Sequence, residues 1–195
     1  NMIPKQLKIK PLSMCCLLCW LLSIALPGEA FAQNQSGVYG LTIDSLSRGK
    51  IRMSNFASKI TLIWLVDSAN LKPAVLAQFD SLCVANQQKV VGLIVPCADG
   101  GTLPTDGKIA KLIRDHTTIV RVAAPGFAKK ANGQKQHKLL KWLSHKDDNR
   151  HFDFDFIRST NHVFVINTKG DLVGHYVSLT NFSNPLFTRV FAKLN

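Results

Sequence analysis

Glutamate is almost missing from this sequence: of 12 acidic residues only Glu29 is one, against 24 lysines and arginines. Long apolar runs are missing too. The N-terminal run, Met14 to Leu26, covers 13 residues, short of the roughly 20 that cross a bilayer, which argues against a membrane anchor. Cysteine is thin beyond that run: Cys15, Cys16 and Cys19 fall inside it, and only Cys83 and Cys97 follow. None of the six histidines stands at zinc-like spacing to those two cysteines, so no metal site is expected. Gly100-Gly101 lacks the Lys-Ser/Thr that completes a phosphate loop. The basic residues are not interleaved with aromatics as base stacking would need, so nucleic acid is a disfavoured partner.

What is present begins with a leader. Lys5, Lys8 and Lys10 precede the apolar run, and Ala30-Phe31-Ala32 offers a small-x-small cleavage site. The expectation is a secretory signal peptide over 1–32, a single domain over 33–195, and export to a periplasm or beyond. Lipidation at Cys19 is disfavoured because Leu18 stands where a small residue is required. Cleavage removes Lys5, Lys8, Lys10 and Glu29 from the 24 basic and 12 acidic residues, leaving 21 and 11, a net charge of +10. Such an excess favours an anionic partner, whether a lipid surface, a polyanion or an acidic protein.

The stretch Ile60 to Pro73, ITLIWLVDSANLKP, organises the rest. Its β-formers end abruptly in small polar residues, then in a proline suited to the first turn of a helix. A helix follows, with Val75, Leu76, Phe79, Leu82 and Cys83 at helical spacing, and then a second apolar run, Val90 to Pro96. The unit reads as a right-handed strand-helix-strand with parallel strands. Ligands and chemistry collect at the carboxyl ends of such strands, just after Val66 and Pro96. The helix runs antiparallel to the second strand, which separates Cys83 from Cys97 beyond the ~7 Å a disulfide spans. Two free thiols are therefore expected, Cys83 in the core and Cys97 near the functional edge.

Ahead of this unit, Val38–Ile43 and Lys50–Met53 form an expected hairpin around Ser45–Gly49. Beyond it come a helix over Lys108–His116 capped by Thr105 or Asp106, a short strand near Ile119–Val122, and a helix ending in Leu139–Leu143. A polar surface connection, Ser144–Arg158, leads to a hairpin of His162–Ile166 and Leu172–Tyr176. A last helix starts at Pro185 with Asn184 as cap, and Leu186, Val190, Phe191 and Leu194 lie on one face. The order predicts an α/β fold, a central mixed sheet with helices on both faces and an N-terminal β-hairpin.

Several segments carry a resemblance. Gly49-Lys50 to Phe56 followed by Lys59–Ile63, then Val95-Pro96-Cys97 with Gly100-Gly101 and Pro104, stand in the order found in the glutathione peroxidase family. So do Asn132-Gly133 with His137, Leu139 and Lys141-Trp142-Leu143, and Phe164–Asn167 with Gly170. The chain resembles that family over nearly all of residues 33–195, which implies a thioredoxin-like fold and the peroxide chemistry of oxidative stress. In that family a cysteine or selenocysteine after the first core strand attacks the peroxide, assisted by a glutamine, a tryptophan and an asparagine. Here the nucleophile position holds Ala69 counted back from Pro73, or Asn70 counted forward from the strand. Asp99 falls at the glutamine, Ser159 and Thr160 fall at the Trp-Asn pair, and Ile113 falls where thioredoxin-using members carry a second cysteine.

Two readings follow. One is an exported, non-catalytic glutathione peroxidase-like binding or structural module with no cofactor, a pseudoenzyme. The other is a thiol-dependent peroxidase or oxidoreductase that uses Cys97 with glutathione or thioredoxin; Cys97 is otherwise a packing residue. The basic segment Lys129, Lys130, Lys135, Lys138 and Lys141 is either an anion-binding face or a solvated one, with Lys135, Lys138 and Lys141 spaced to share one helix face.

Overall fold

Every residue of the strand Ile60–Val66 is buried, because both of its faces are covered. The computed structural model describes residues 37–67, 70–99, 106–128, 135–155, 161–177, 181–182 and 185–193. Among them the order is β1 (Thr42–Asp44), β2 (Lys50–Arg52), β3 (Ile60–Val66), α1 (Pro73–Ala85), β4 (Val90–Pro96), α2 (Asp106–His116) and β5 (Arg121–Val122). Then come α3 (Lys138–Ser144), α4 (Lys146–Asn149), β6 (His162–Ile166), β7 (Leu172–Val177) and α5 (Pro185–Lys193). β1 and β2 form a separate antiparallel hairpin, and the main sheet runs β5-β4-β3-β6-β7. β3 pairs in parallel with β4 and antiparallel with β6. The expected mixed sheet with an N-terminal hairpin is the observed one.

The two-residue period of a strand divides β3 between two cores. Ile60, Leu62, Trp64 and Val66 pack with Leu76, Phe79 and Cys83 of α1, Ile109 and Ile113 of α2, and Phe187 of α5. Ile63 and Leu65 pack on the other side with Ile43 and Ile51 of the hairpin and Leu139, Leu140 and Leu143 of α3. Pro73 opens α1, where its missing N–H and fixed φ cost nothing. The rings of Trp64, Phe79 and Phe182 then close a trio with centroids 4.8 to 5.4 Å apart. Such rings gain from edge-to-face contact beyond their buried area.

The structure departs from the sequence reading where a single local bond decides. Val38–Gly40 is a 3-10 turn rather than the start of a strand, and Met53–Phe56 is another; the Met53 amide donates to the Leu41 carbonyl at 3.0 Å and ends the hairpin there. α2 begins at Asp106, two residues ahead of Lys108. The connection after Ser144 is not merely a polar surface loop. It contains α4 and a buried Asn149, whose amide donates to the carbonyls of Leu143 and Phe152 at 3.1 and 2.9 Å. The Asn149 Oδ1 accepts the amides of His151 and Phe152. Lys135 is not on a helix with Lys138 and Lys141. Gln136 bridges Phe127 in extended conformation, and the His137 amide donates to the Phe127 carbonyl, so α3 starts only at Lys138. Thr105, Asn184 and Leu194 lie outside the described residues, as do the side chains of Leu186 and Phe191.

Candidate functional site

The carboxyl edge of β3 and β4 is built from three short segments. After Val66 the chain turns at once: the Asp67 carboxylate accepts from the backbone and side-chain amides of Asn70 at 2.9 and 2.7 Å. The Leu71 amide donates to the Asp67 carbonyl at 3.1 Å. Leu71 is thereby buried and Lys72 stands as the residue before α1, with no side chain capping the helix. Asn70 is committed to Asp67, and a carboxylate occupies the turn that leads into the helix N-terminus. Ala69 lies outside the described residues.

Cys97 follows directly on β4 and is 1% exposed. Its backbone pairs with Gly126, and its Sγ donates to Asp99 Oδ2 at 3.2 Å. The same carboxylate oxygen accepts the Ala128 amide. Burial pushes the Cys97 thiol up to about 12, and the charge of Asp99 adds to the rise. Asp99 is therefore a clamp between β4 and the 125–128 loop, and what it holds beside it is a protonated thiol. Cys83 is also free and buried, at the far end of α1. Its thiol is likewise raised to about 12 by burial, then by Asp80.

At the neighbouring corner, where Leu65 pairs with His162, the Trp64 indole donates to the Asn161 Oδ1 at 2.8 Å. Ser159 and Thr160 lie outside the described residues, as do Lys129 and Lys130. Ile113 is a buried core residue of α2. Lys135, Lys138 and Lys141 are exposed. Lys135 and Lys138 border a cavity of about 260 Å³ with Asp44 and His137. Burial lowers the pKa of His137, and its Nδ1 is buried with no hydrogen-bond partner.

One constellation was missed in the sequence. The His162 Nδ1 lies 3.0 Å from the His175 Nε2, the rings stack at 5.1 Å, and Phe154 meets both edge-on. Burial, then the neighbouring His162, lowers His175 to about 4. The available signal was the register: Phe164 pairs with His175 and lies two residues from His162, so alternation places all three on one face. Among the described residues no three histidine, cysteine or acidic side chains gather as a metal set, and no helix is long and apolar enough to cross a membrane.

No protein-family profile and no curated protein matches the chain. Solved structures do. Trgpx, a glutathione peroxidase crystallised in apo form, superposes at a TM-score of 0.57 with 16% identity, over 82% of this chain and 96% of that one. The exposed lipoprotein thioredoxin Etrx1 of Streptococcus pneumoniae gives 0.53 and 16%, over 76% and 96%. A thiol-disulfide isomerase of Corynebacterium glutamicum gives 0.56 and 10%, over 82% and 96%. These likenesses define the class: the chain has a thioredoxin-like fold. Peroxidases and thiol-disulfide oxidoreductases both stand among its structural neighbours, and one of those neighbours is an exposed lipoprotein.

Proposed function

We propose that this chain is an exported, non-catalytic glutathione peroxidase-like protein that acts as a binding module. The observation that carries the reading is the state of Cys97. The nucleophile of a thiol peroxidase is the thiolate, and a thiol raised to about 12 holds roughly one molecule in a hundred thousand as thiolate near neutral pH. Its Sγ is buried and hydrogen-bonded to a carboxylate, so approach and deprotonation are both opposed. At the other position suited to attack, after β3, the sequence has Ala69 and Asn70, neither of which can open an O–O bond. The leader over 1–32 supports export. The exposed lysines Lys135, Lys138 and Lys141, with Lys129 and Lys130, support an anionic surface or acidic protein as partner.

Consumption of hydrogen peroxide and a lipid hydroperoxide, with glutathione or thioredoxin as reductant, is the deciding measurement. The expected result is no turnover by the native protein and only slow, stoichiometric oxidation of Ala69→Cys or Asn70→Cys. Multiple turnovers by the native protein that disappear in Cys97→Ser would overturn the reading in favour of a thiol enzyme.

A further inference from the structure

A cavity of about 670 Å³ opens at the other end of the sheet from Cys97. Lys59 precedes β3, Val90 begins β4 and Arg121 begins β5. These three strands are parallel to one another, so all three residues mark the amino edge. The hairpin turn between β1 and β2 forms the facing wall and carries Arg48, held at φ 71. Arg48, Lys50, Lys59 and Arg121 line the cavity, and among the described residues that line it none is a carboxylate.

The four cations are not equally free. Lys50 is paired with Asp44 at 2.5 Å. Lys59 donates to the Gln87 carbonyl at 2.9 Å, which fixes its position, and it makes no ion pair among the described residues. Arg48 and Arg121 make no ion pair among the described residues. Arg121 pairs in register with Leu93, and Leu93 packs in the core under the hairpin. Alternation therefore sends the Arg121 side chain to the same side of the sheet as the hairpin. Three unanswered positive charges thus converge from three remote segments on one concavity, floored by the buried Phe56. Cations of one sign gathered on one concavity raise the local potential for anions, and two arginines suit forked contact with oxyanions.

We propose that this cavity binds a small organic molecule carrying two or more phosphate groups. Its volume falls within the roughly 300–1,000 Å³ of ligand pockets, the cations match several negative charges, and the apolar floor suits the organic body. The site lies at the opposite edge of the sheet from Cys97, and of its four cations Lys50 also borders the smaller cavity with Lys135 and Lys138. Peroxide turnover would leave it untouched, and failure to bind phosphate would leave the non-catalytic reading untouched.

The test is calorimetric titration of the full chain with inorganic pyrophosphate at fixed ionic strength, using variants shown by their melting curves to be folded. Saturable one-to-one binding is expected. It should weaken about tenfold or more in Arg48→Gln/Arg121→Gln, since each variant removes a charge-assisted bond to the anion. It should change less than about twofold in Lys141→Gln/Lys146→Gln, whose exposed side chains border neither cavity, as charges outside the site act weakly through salt. No saturable binding, or an equal loss in both double variants, overturns the proposal.

Discussion

Gly92 shows how tightly single residues are specified between the sheet and α1. A Cβ built at Gly92 would stand 2.6 Å from the Cys83 Sγ, 2.8 Å from a Val120 methyl and 3.1 Å from the Phe79 ring. Its φ is ordinary, so glycine is required here by space and not by backbone conformation. Cys83 has the matching role: its thiol fills the gap that the missing side chain leaves, which is a packing use of a small apolar residue. Gly92→Ala should therefore destabilise the fold by about 1–3 kcal/mol through overpacking, read as a lower denaturant midpoint at unchanged slope. Adding Cys83→Ala should restore part of that loss by removing the nearest atom, with Val120 still in the way. An unaltered midpoint for Gly92→Ala would show that α1 sits farther from β4 than the structure has it.

At the scale of elements, legibility followed the source of the order. β3, β4 and α1 were readable because burial on two faces leaves a continuous apolar run, and burial on one helical face leaves a spaced one. Hairpin ends and α4 were not, because they depend on one hydrogen bond or one side chain: the Met53 amide in the first case and Asn149 in the second. Of the candidate site, Cys97 at the strand end was legible, whereas its clamp by Asp99 to Ala128 needs the 125–128 loop to return beside β4. The cavity at the amino edge was invisible for the same reason, since Arg48, Lys59 and Arg121 meet only through tertiary pairing. One further tie of this kind precedes β5. The half-turn before the strand hangs on Asp80 of α1, which accepts the Thr118 hydroxyl at 2.8 Å and the Ile119 amide at 3.1 Å. Asp80→Ala should release this strap, costing roughly 0.5–1.5 kcal/mol per hydrogen bond, since water reaches the exposed Thr118 and Ile119. Hydrogen exchange should then accelerate at Ile119 while amides in the centre of β3 keep their protection. Unchanged protection at Ile119 would mean that the strap is held by the sheet and not by Asp80.

For the whole molecule, the shifts that titrate below neutral pH give stability one direction of pH dependence. His175 is held near 4 against an ordinary 6.5 by burial and by His162, and burial lowers His137 as well. Between those values the unfolded chain takes up a proton at position 175 that the folded chain refuses, so the unfolded state binds more protons and stability falls as pH falls. The stabilisation is complete above about 6.5 and is lost on acidification toward about 4. Asp44 and Asp115, lowered by their hydrogen bonds to Lys50 and Lys111, act in the same direction at lower pH; both are exposed and screened, and they contribute little. The ring contacts of His175 among the described residues are with Phe152, Phe154, Phe164 and His162, none of which is a carboxylate that would welcome the added charge. The formal net charge of +12 for the full chain makes each further proton more costly to a compact state. Thermal melts between about pH 7 and pH 4.5 should show a falling midpoint for the native protein and a flatter profile for His175→Phe, which keeps the aromatic packing and removes the titrating group. The slope, not the value at pH 7, is the readout, because loss of the contact with His162 lowers the variant's midpoint at every pH. Parallel profiles for the two proteins would show that His175 titrates alike in both states and that the histidine pair is not the source of the acid sensitivity.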